Sequence, residues 1–250
     1  MKESSFKLQD KTIFLAGPFN GITQSIIRGM AELGADVAFV SDSVAHASRF
    51  TDGVTEAREI HPNHGRAAHF HLPLNTPEQV HEAIGRVAQS LGRMDILVNA
   101  LPMTWDGKTN IDVVSKVSAT LIEKLNPFFT AKSRGRIIYV FEDQGLDPLL
   151  PQCWPAEFRT SFLKLISQQA TELRGIHTTV NGLSIGVTED FLLKNFPKSP
   201  SIRVSLDTLK KEHSDIRLVE SSDIASAVAY LSSAVAGSIT GQVLRLTHGM

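Results

Sequence analysis

Two glycines in the stretch LAGPFNGIT could form a phosphate-binding turn. Gly17 and Gly21 stand between an apolar run and an amphipathic one, so Gly21 would open a helix whose free N–H groups attract a pyrophosphate. Thr23 stands where a third glycine would complete such a turn. Asp42 ends the next apolar run, where a carboxylate can bind a ribose 2′-hydroxyl and repel a 2′-phosphate. These residues predict a turn built for NAD, or a tight strand–helix connection that needs glycine for its backbone alone.

Short apolar runs alternate with helical patterns along the chain, as in a doubly wound parallel sheet. A helix is predicted over Thr76–Leu91, where Thr76 and Gln79 would form a capping box. Further helices are predicted over Glu157–Leu173 and Ser222–Leu231. The predicted strands are Thr12–Ala16, Val37–Val40, His69–Leu74, Ile96–Asn99, Ile137–Phe141, Thr178–Asn181 and Val243–Leu246.

The composition predicts a single domain over residues 1–250. Apolar residues make up 42% of the chain, which is ample for one core, and the net charge of −1 gives no reason to expect a nucleic-acid partner. Cys153 is the only cysteine, so an intrachain disulfide is excluded and a cytoplasmic location is expected. No signal peptide or membrane span is predicted. The charged segment 187–220 is predicted to be a lid or substrate loop at the carboxyl ends of the strands.

Several stretches, in order, resemble the short-chain dehydrogenase/reductase family nearly from end to end. AGPFNGIT is similar to that family's Thr-Gly-x-x-x-Gly-Ile-Gly turn, and GRMDILVNA (92–100) leads into its Asn-Asn-Ala-Gly motif. GRIIYVFE (135–142), the stretch 171–186 and the C-terminal stretch 217–250 follow the family's later segments. The resemblance implies one Rossmann domain with a doubly wound, seven-stranded parallel sheet and helices on both faces. Its cofactor contacts would be Gly17, Gly21, Ile22, Asp42 and Asn99.

The family's catalytic positions are the main departure from its pattern. The resemblance implies a hydride transfer in which a tyrosine moves the proton, assisted by a lysine, a serine and an asparagine. At the positions of that asparagine, serine, tyrosine and lysine, in this order, the chain has Ser118, Glu142, Pro155 and Arg159. No Tyr-x-x-x-Lys occurs anywhere, and the only tyrosines are Tyr139 and Tyr230. Proline has no proton to transfer and arginine stays charged, so the usual acid–base chemistry is not expected.

Two interpretations of Glu142 remain open at this point. Glu142 and Arg159 could pair as a structural ion pair in the emptied pocket. Alternatively Glu142 or Asp143, at the carboxyl end of a strand that faces the cleft, could replace the missing acid.

The cofactor motifs also differ from the family pattern. The Asn-Asn-Ala-Gly motif reads Asn99-Ala100-Leu101-Pro102, and the family's adenine-contacting pair reads Pro73-Leu74. The Pro-Gly pair that follows the family's sixth strand reads Ile185-Gly186. Together with Thr23 these changes predict weak or absent cofactor binding, with NAD as the alternative. No metal site is predicted, because the histidines between residues 61 and 71 lack partners at ligand spacing.

These departures predict a catalytically degenerate family member. The leading hypothesis is a non-catalytic structural subunit, because the C-terminal segment that the family uses in assembly follows its pattern best. Its partner would be an active paralogue or a second copy, as a dimer or tetramer, with acyl-CoA or aromatic intermediates as substrates of the complex. One alternative is an unorthodox NAD-dependent oxidoreductase that uses Glu142 or Asp143. Another is a regulator that senses a dinucleotide or an acyl-CoA.

Overall fold

Seven parallel strands form one sheet in the order β3-β2-β1-β4-β5-β6-β7. The structure is a computed structural model that describes residues 6–42, 64–104, 111–129, 134–142, 156–195, 207, 210–211 and 217–247. The strands are β1 (Thr12–Ala16), β2 (Asp36–Ser41), β3 (Ala67–His71), β4 (Ile96–Asn99), β5 (Arg136–Glu142), β6 (Thr179–Ile185) and β7 (Val243–Leu246). The helices are α1 (Gly21–Glu32), α2 (Pro77–Leu91), α3 (Ile111–Leu125), α4 (Ala156–Glu172), α5 (Glu189–Asn195) and α6 (Ser221–Ser232).

Helices cover both faces of the sheet, and the side chains of β1 show how the two cores divide. Ile13 and Leu15 join the core beneath α1 and α6, whereas Phe14 and Ala16 join the core beneath α2, α3 and α4. Every residue of β1 is buried because successive side chains point to opposite, equally covered faces. This confirms the predicted fold class, a doubly wound Rossmann domain.

The chain changes direction across the sheet at β1, which pairs with β2 on one side and β4 on the other. Ligands of open parallel sheets bind outside the carboxyl ends of the strands at such a point. The residues that follow β1, β2 and β4 therefore define where a site is expected.

Most predicted elements are confirmed, and two differ for a physical reason. The helix after Thr76 has the predicted capping box with Gln79. β6 continues to Ile185, beyond the predicted end at Asn181, because its last residues pair with β7. β3 ends at His71 and not at Leu74. Only residues 67–71 pair with β2, and the last of these pairs joins His71 to Ser41.

Only part of segment 187–220 is described, and it includes α5. Its role as a lid or substrate loop stays a prediction. Within the described ranges, no helix combines the length and the apolar content that crossing a membrane requires.

Candidate functional site

The turn between β1 and α1 is closed by its own hydrogen bonds. Asn20 is the N-cap of α1, and its Oδ1 accepts a hydrogen bond of 2.9 Å from the Thr23 backbone N–H. Thr23 Oγ1 in return accepts from the Asn20 N–H at 3.1 Å and donates to the Pro18 carbonyl oxygen at 2.7 Å. Thr23 is fully buried. The residue that replaces the family's third glycine is therefore part of a capping box, a structural role that its position in the sequence did not predict.

Gly17 allows β1 and β4 to approach closely at the start of this turn. A Cβ on Gly17 would lie 2.8 Å from Ala100 Cβ and 3.2 Å from the Ala100 carbonyl carbon. Real Cβ atoms do not pack this closely, so a side chain here would push the two strand ends apart. The glycine predicted to belong to a dinucleotide turn is thus required by the backbone as well.

A cavity of about 190 Å³ opens beside Gly17, at the carboxyl ends of β1, β2 and β4. Ser41, Asp42, Leu74 and Leu101 line it together with three valines of α3. Gly17 and Asp42, which the sequence predicted from stretches far apart, therefore meet at one cavity. Leu74 also lies here, in the stretch that corresponds to the family's adenine contact.

Among the described residues that line the cavity, Asp42, which follows β2, has the only charged side chain. Asp42 is exposed, and its backbone carbonyl oxygen lies 2.9 Å from His71 Nε2. His69 lies next to Ser41, with 3.0 Å between Nε2 and Oγ. Burial lowers the pKa of the His69 imidazole below its usual value, and His71 lowers it further. His69 is therefore neutral at pH 7 and does not offset the charge of the Asp42 carboxylate.

Two predicted site residues carry buried polar atoms with no hydrogen-bond partner among the described residues. Asn99 ends β4, and its Oδ1 accepts from the Leu101 N–H at 3.1 Å, but its Nδ2 is unpaired. Ser118, on α3, is fully buried with its Oγ unpaired. Buried polar groups in folded proteins are nearly always satisfied, so unpaired atoms at these positions suit a ligand that supplies hydrogen bonds.

Asp190 is a site residue that the sequence analysis missed. Its Oδ2 accepts a hydrogen bond of 3.2 Å from the backbone N–H of Ile22, in the first turn of α1. A Cβ on Gly21 would lie 3.1 Å from the same oxygen, so the glycine leaves room for the carboxylate. No local pattern predicts this contact, because the two residues are 168 positions apart.

The end of β5 holds Glu142, the residue that the family resemblance places at the catalytic serine position. Glu142 is the last residue of β5 and is partly buried, and Arg159 lies near the start of α4. Asp143 and Pro155 lie outside the described residues. The proposed pairing of Glu142 with Arg159 therefore stays a prediction.

Neither of the two tyrosines is placed to act as the family's proton donor. Tyr139 is fully buried in β5 and its hydroxyl donates a hydrogen bond of 2.7 Å to Gln169 Oε1. Burial raises the pKa of Tyr139 well above its usual value, so its proton is not available near neutral pH. Tyr230 lies on α6 and packs against the core beneath α1 and α6. In the described part of the chain, no three His, Cys, Asp or Glu side chains are grouped as metal ligands.

Comparison with known proteins identifies the class. Residues 17–250 match the family model described as enoyl-(acyl carrier protein) reductase. The chain therefore belongs to the short-chain dehydrogenase/reductase family, as its motifs predict.

Individual relatives match over nearly the whole chain. The 3-oxoacyl-[acyl-carrier-protein] reductase of Vibrio cholerae is 26% identical, with 97% of this chain and 98% of the relative covered. The enzyme of the same name from Thermotoga maritima is 22% identical, with 98% and 99% covered. The structure of L-sorbose reductase from Gluconobacter frateurii, complexed with NADPH and L-sorbose, has a TM-score of 0.80 at 20% identity, with 98% of each chain covered. This last likeness shows the shared fold.

The prediction of a catalytically degenerate, non-catalytic subunit is contradicted by these relatives. They are named as reductases and align with the chain from end to end, which favours an active oxidoreductase. The substitutions at four motif positions are outweighed by a match that extends over nearly the whole chain. Assembly with itself or with a paralogue, and a cytoplasmic location, stay predictions.

Proposed function

We propose that the protein is an oxidoreductase that transfers a hydride between NAD(H) and a carbonyl or alcohol substrate. The observation that carries this proposal is the cavity at the carboxyl ends of β1, β2 and β4, lined by Gly17 and Asp42. It lies where open parallel sheets bind ligands, in a chain whose relatives are named as reductases.

The residues around the cavity fit the adenosine half of a dinucleotide. Gly17 has no side chain to obstruct a close approach to the turn, and Asp42 can accept hydrogen bonds from ribose hydroxyls. The Nδ2 of Asn99, at the end of β4, has no acceptor among the described residues and can donate to a ligand. The nicotinamide of a bound dinucleotide supplies or accepts the hydride.

The charge at the cavity supports NAD over NADP. None of the described residues that line it is a lysine or an arginine, and Asp42 adds a negative charge. A 2′-phosphate would lie near that carboxylate with no cation to neutralise it, which is unfavourable by simple electrostatics.

Glu142 is our proposed proton donor for the carbonyl oxygen. The chain has no Tyr-x-x-x-Lys, and Tyr139 is held in the interior by Gln169. Glu142 ends the strand on which the family places its catalytic serine, and that strand end lies at the carboxyl edge of the sheet, as the cavity does. In carbonyl reduction its carboxyl group would give one proton to the oxygen while the carbon receives the hydride.

The proposed substrate is the carbonyl group of a 3-oxoacyl thioester. The two relatives above are named for such a substrate, and each aligns with at least 97% of this chain.

The test is the loss of NADH absorbance when the purified protein is mixed with a 3-oxoacyl thioester such as acetoacetyl-CoA. We expect turnover with NADH and slower turnover with NADPH. The hydroxyacyl product, identified by mass spectrometry, should form in equal amount to the NADH consumed. No turnover with NADH or NADPH on 3-oxoacyl thioesters and simple ketones would refute the proposed function.

Replacing Asp42 with asparagine should weaken NADH binding and reduce the preference for NADH over NADPH. The substitution removes the charge that binds the ribose hydroxyls, a loss worth about tenfold in affinity. Titration calorimetry with both cofactors measures the two effects. Asp36→Asn is the matched control, because Asp36 lies at the opposite end of β2 and pairs with Arg66 at 3.0 Å. Equal effects of the two variants would show that Asp42 does not contact the cofactor.

A further inference from the structure

The first turn of α1 already holds an anion that belongs to the protein. The positive end of a helix and its free N–H groups attract negative groups such as phosphates. Here the Asp190 carboxylate accepts the Ile22 N–H at 3.2 Å, and Gly21 leaves the space that it occupies. The Thr23 N–H is taken by Asn20 Oδ1. Two of the first three backbone N–H groups of α1, those of Ile22 and Thr23, therefore already donate to side chains in the described structure.

Asp190 is not a mobile surface group, because its helix is anchored on both sides of it. Thr188 Oγ1 accepts from the Phe191 N–H at 3.1 Å and caps α5. Phe191 and Leu192 are almost completely buried, whereas Asp190 is partly exposed. The backbone thus holds the carboxylate beside α1, and only its side-chain rotation or a shift of α5 removes it.

We propose that Asp190 competes with the phosphates of a dinucleotide for the N-terminus of α1 and so determines how tightly the cofactor binds. This inference rests on the proposed function, because it supposes that a dinucleotide binds at the turn. A carboxylate and a diphosphate repel each other and need the same donors, so binding requires that Asp190 leave. The weak cofactor binding predicted from the sequence thereby acquires a physical cause, different from the missing glycine.

The proposal predicts opposite effects on the free and the liganded protein. In Asp190→Asn the competing charge is gone, so NADH and ADP should bind about tenfold more tightly. Adenosine lacks phosphates and should bind equally to both proteins. The free variant should melt roughly 2 to 4 °C lower, because α1 loses the charge that complements its dipole. Titration calorimetry measures the affinities, and differential scanning calorimetry measures the melting temperature.

Glu189→Gln is the matched control. Glu189 is the neighbouring residue on the same helix, is exposed, and loses the same charge on substitution. It should change neither NADH affinity nor ADP affinity appreciably. A similar gain in NADH and ADP affinity in both variants would show that the loss of any negative charge on this helix strengthens binding. That result would overturn the proposal.

Other outcomes separate this inference from the proposed function. If Asp190→Asn binds NADH no more tightly than the natural protein does, the inference is overturned. The carboxylate would then either have no effect on binding or contact the cofactor itself. Tighter NADH binding by Asp190→Asn without turnover in either protein would support the inference and refute the proposed function. No binding of NADH or ADP by either protein would overturn both.

Discussion

Replacing Glu142 with glutamine is expected to slow NADH-dependent carbonyl reduction by about 10²- to 10⁴-fold, the usual contribution of a positioned acid. Glutamine keeps the size and polarity of the side chain but has no proton to give. The effect should therefore appear in kcat, while the dissociation constant for NADH stays nearly unchanged. Steady-state kinetics measures kcat, and calorimetry measures the dissociation constant for NADH.

The pH dependence gives a second, independent readout. A carboxyl group donates only when it is protonated, so reduction by the natural protein should slow as the pH rises. That limb of the profile should be absent in Glu142→Gln. Glu172→Gln is the control, because Glu172 is exposed at the last turn of α4.

The alternative role of Glu142, a structural ion pair with Arg159, makes a different prediction. If the pair is buried, Glu142→Gln would lower the free energy of unfolding by about 3–5 kcal/mol, while replacing both residues with apolar ones would nearly restore it. Urea denaturation of the two single variants and the double variant measures this. A large loss of stability with an unchanged rate would refute the catalytic role.

Replacing Gly17 with alanine is expected to lower the free energy of unfolding by about 1–3 kcal/mol, the range seen when a methyl group is forced into a packed site. The new Cβ would lie 2.8 Å from Ala100 Cβ, and the nearby Ala100 backbone limits how far it can move aside. Because the strand ends must separate, the cavity they line should also bind NADH less well. Urea denaturation and calorimetry report the two losses.

Gly85→Ala provides the matched control for the same substitution. Gly85 lies inside α2, and a Cβ there would meet nothing within 4 Å. Alanine in a helix interior is favoured over glycine, so this variant should be more stable by about 0.5–1 kcal/mol. Opposite signs for the two variants are expected, and a neutral Gly17→Ala would show that β1 and β4 tolerate separation.

The fold could be predicted because its signals are local. The limits of β1, β4 and β7 follow from short apolar runs, which are fully buried in β1 and β4 and partly exposed in β7, and the start of α2 follows from the Thr76–Gln79 capping box. The ends of β3 and β6 could not be placed in this way. Both are determined by pairing with neighbouring strands, and residues remote in the chain carry no mark of that register in the sequence.

The candidate site was predictable only in part, for the same reason. Gly17 and Asp42 each follow a strand, so their motifs also indicate their position at the carboxyl edge of the sheet. The capping role of Thr23 could not be predicted, because a missing glycine is visible in sequence and a closed hydrogen-bond ring is not. The Asp190 contact depends on how α5 lies against α1, a tertiary arrangement that no local pattern specifies.

The hydrogen-bond ring of Asn20, Thr23 and Pro18 has a consequence for how any ligand would be received. A loop that becomes ordered only around its ligand loses conformational entropy at the moment of binding, and this loss reduces affinity. In this chain the turn is already ordered in the free protein by its own side chains. A ligand bound at the turn would therefore exchange partners on a preorganised surface and would not need to fold the loop.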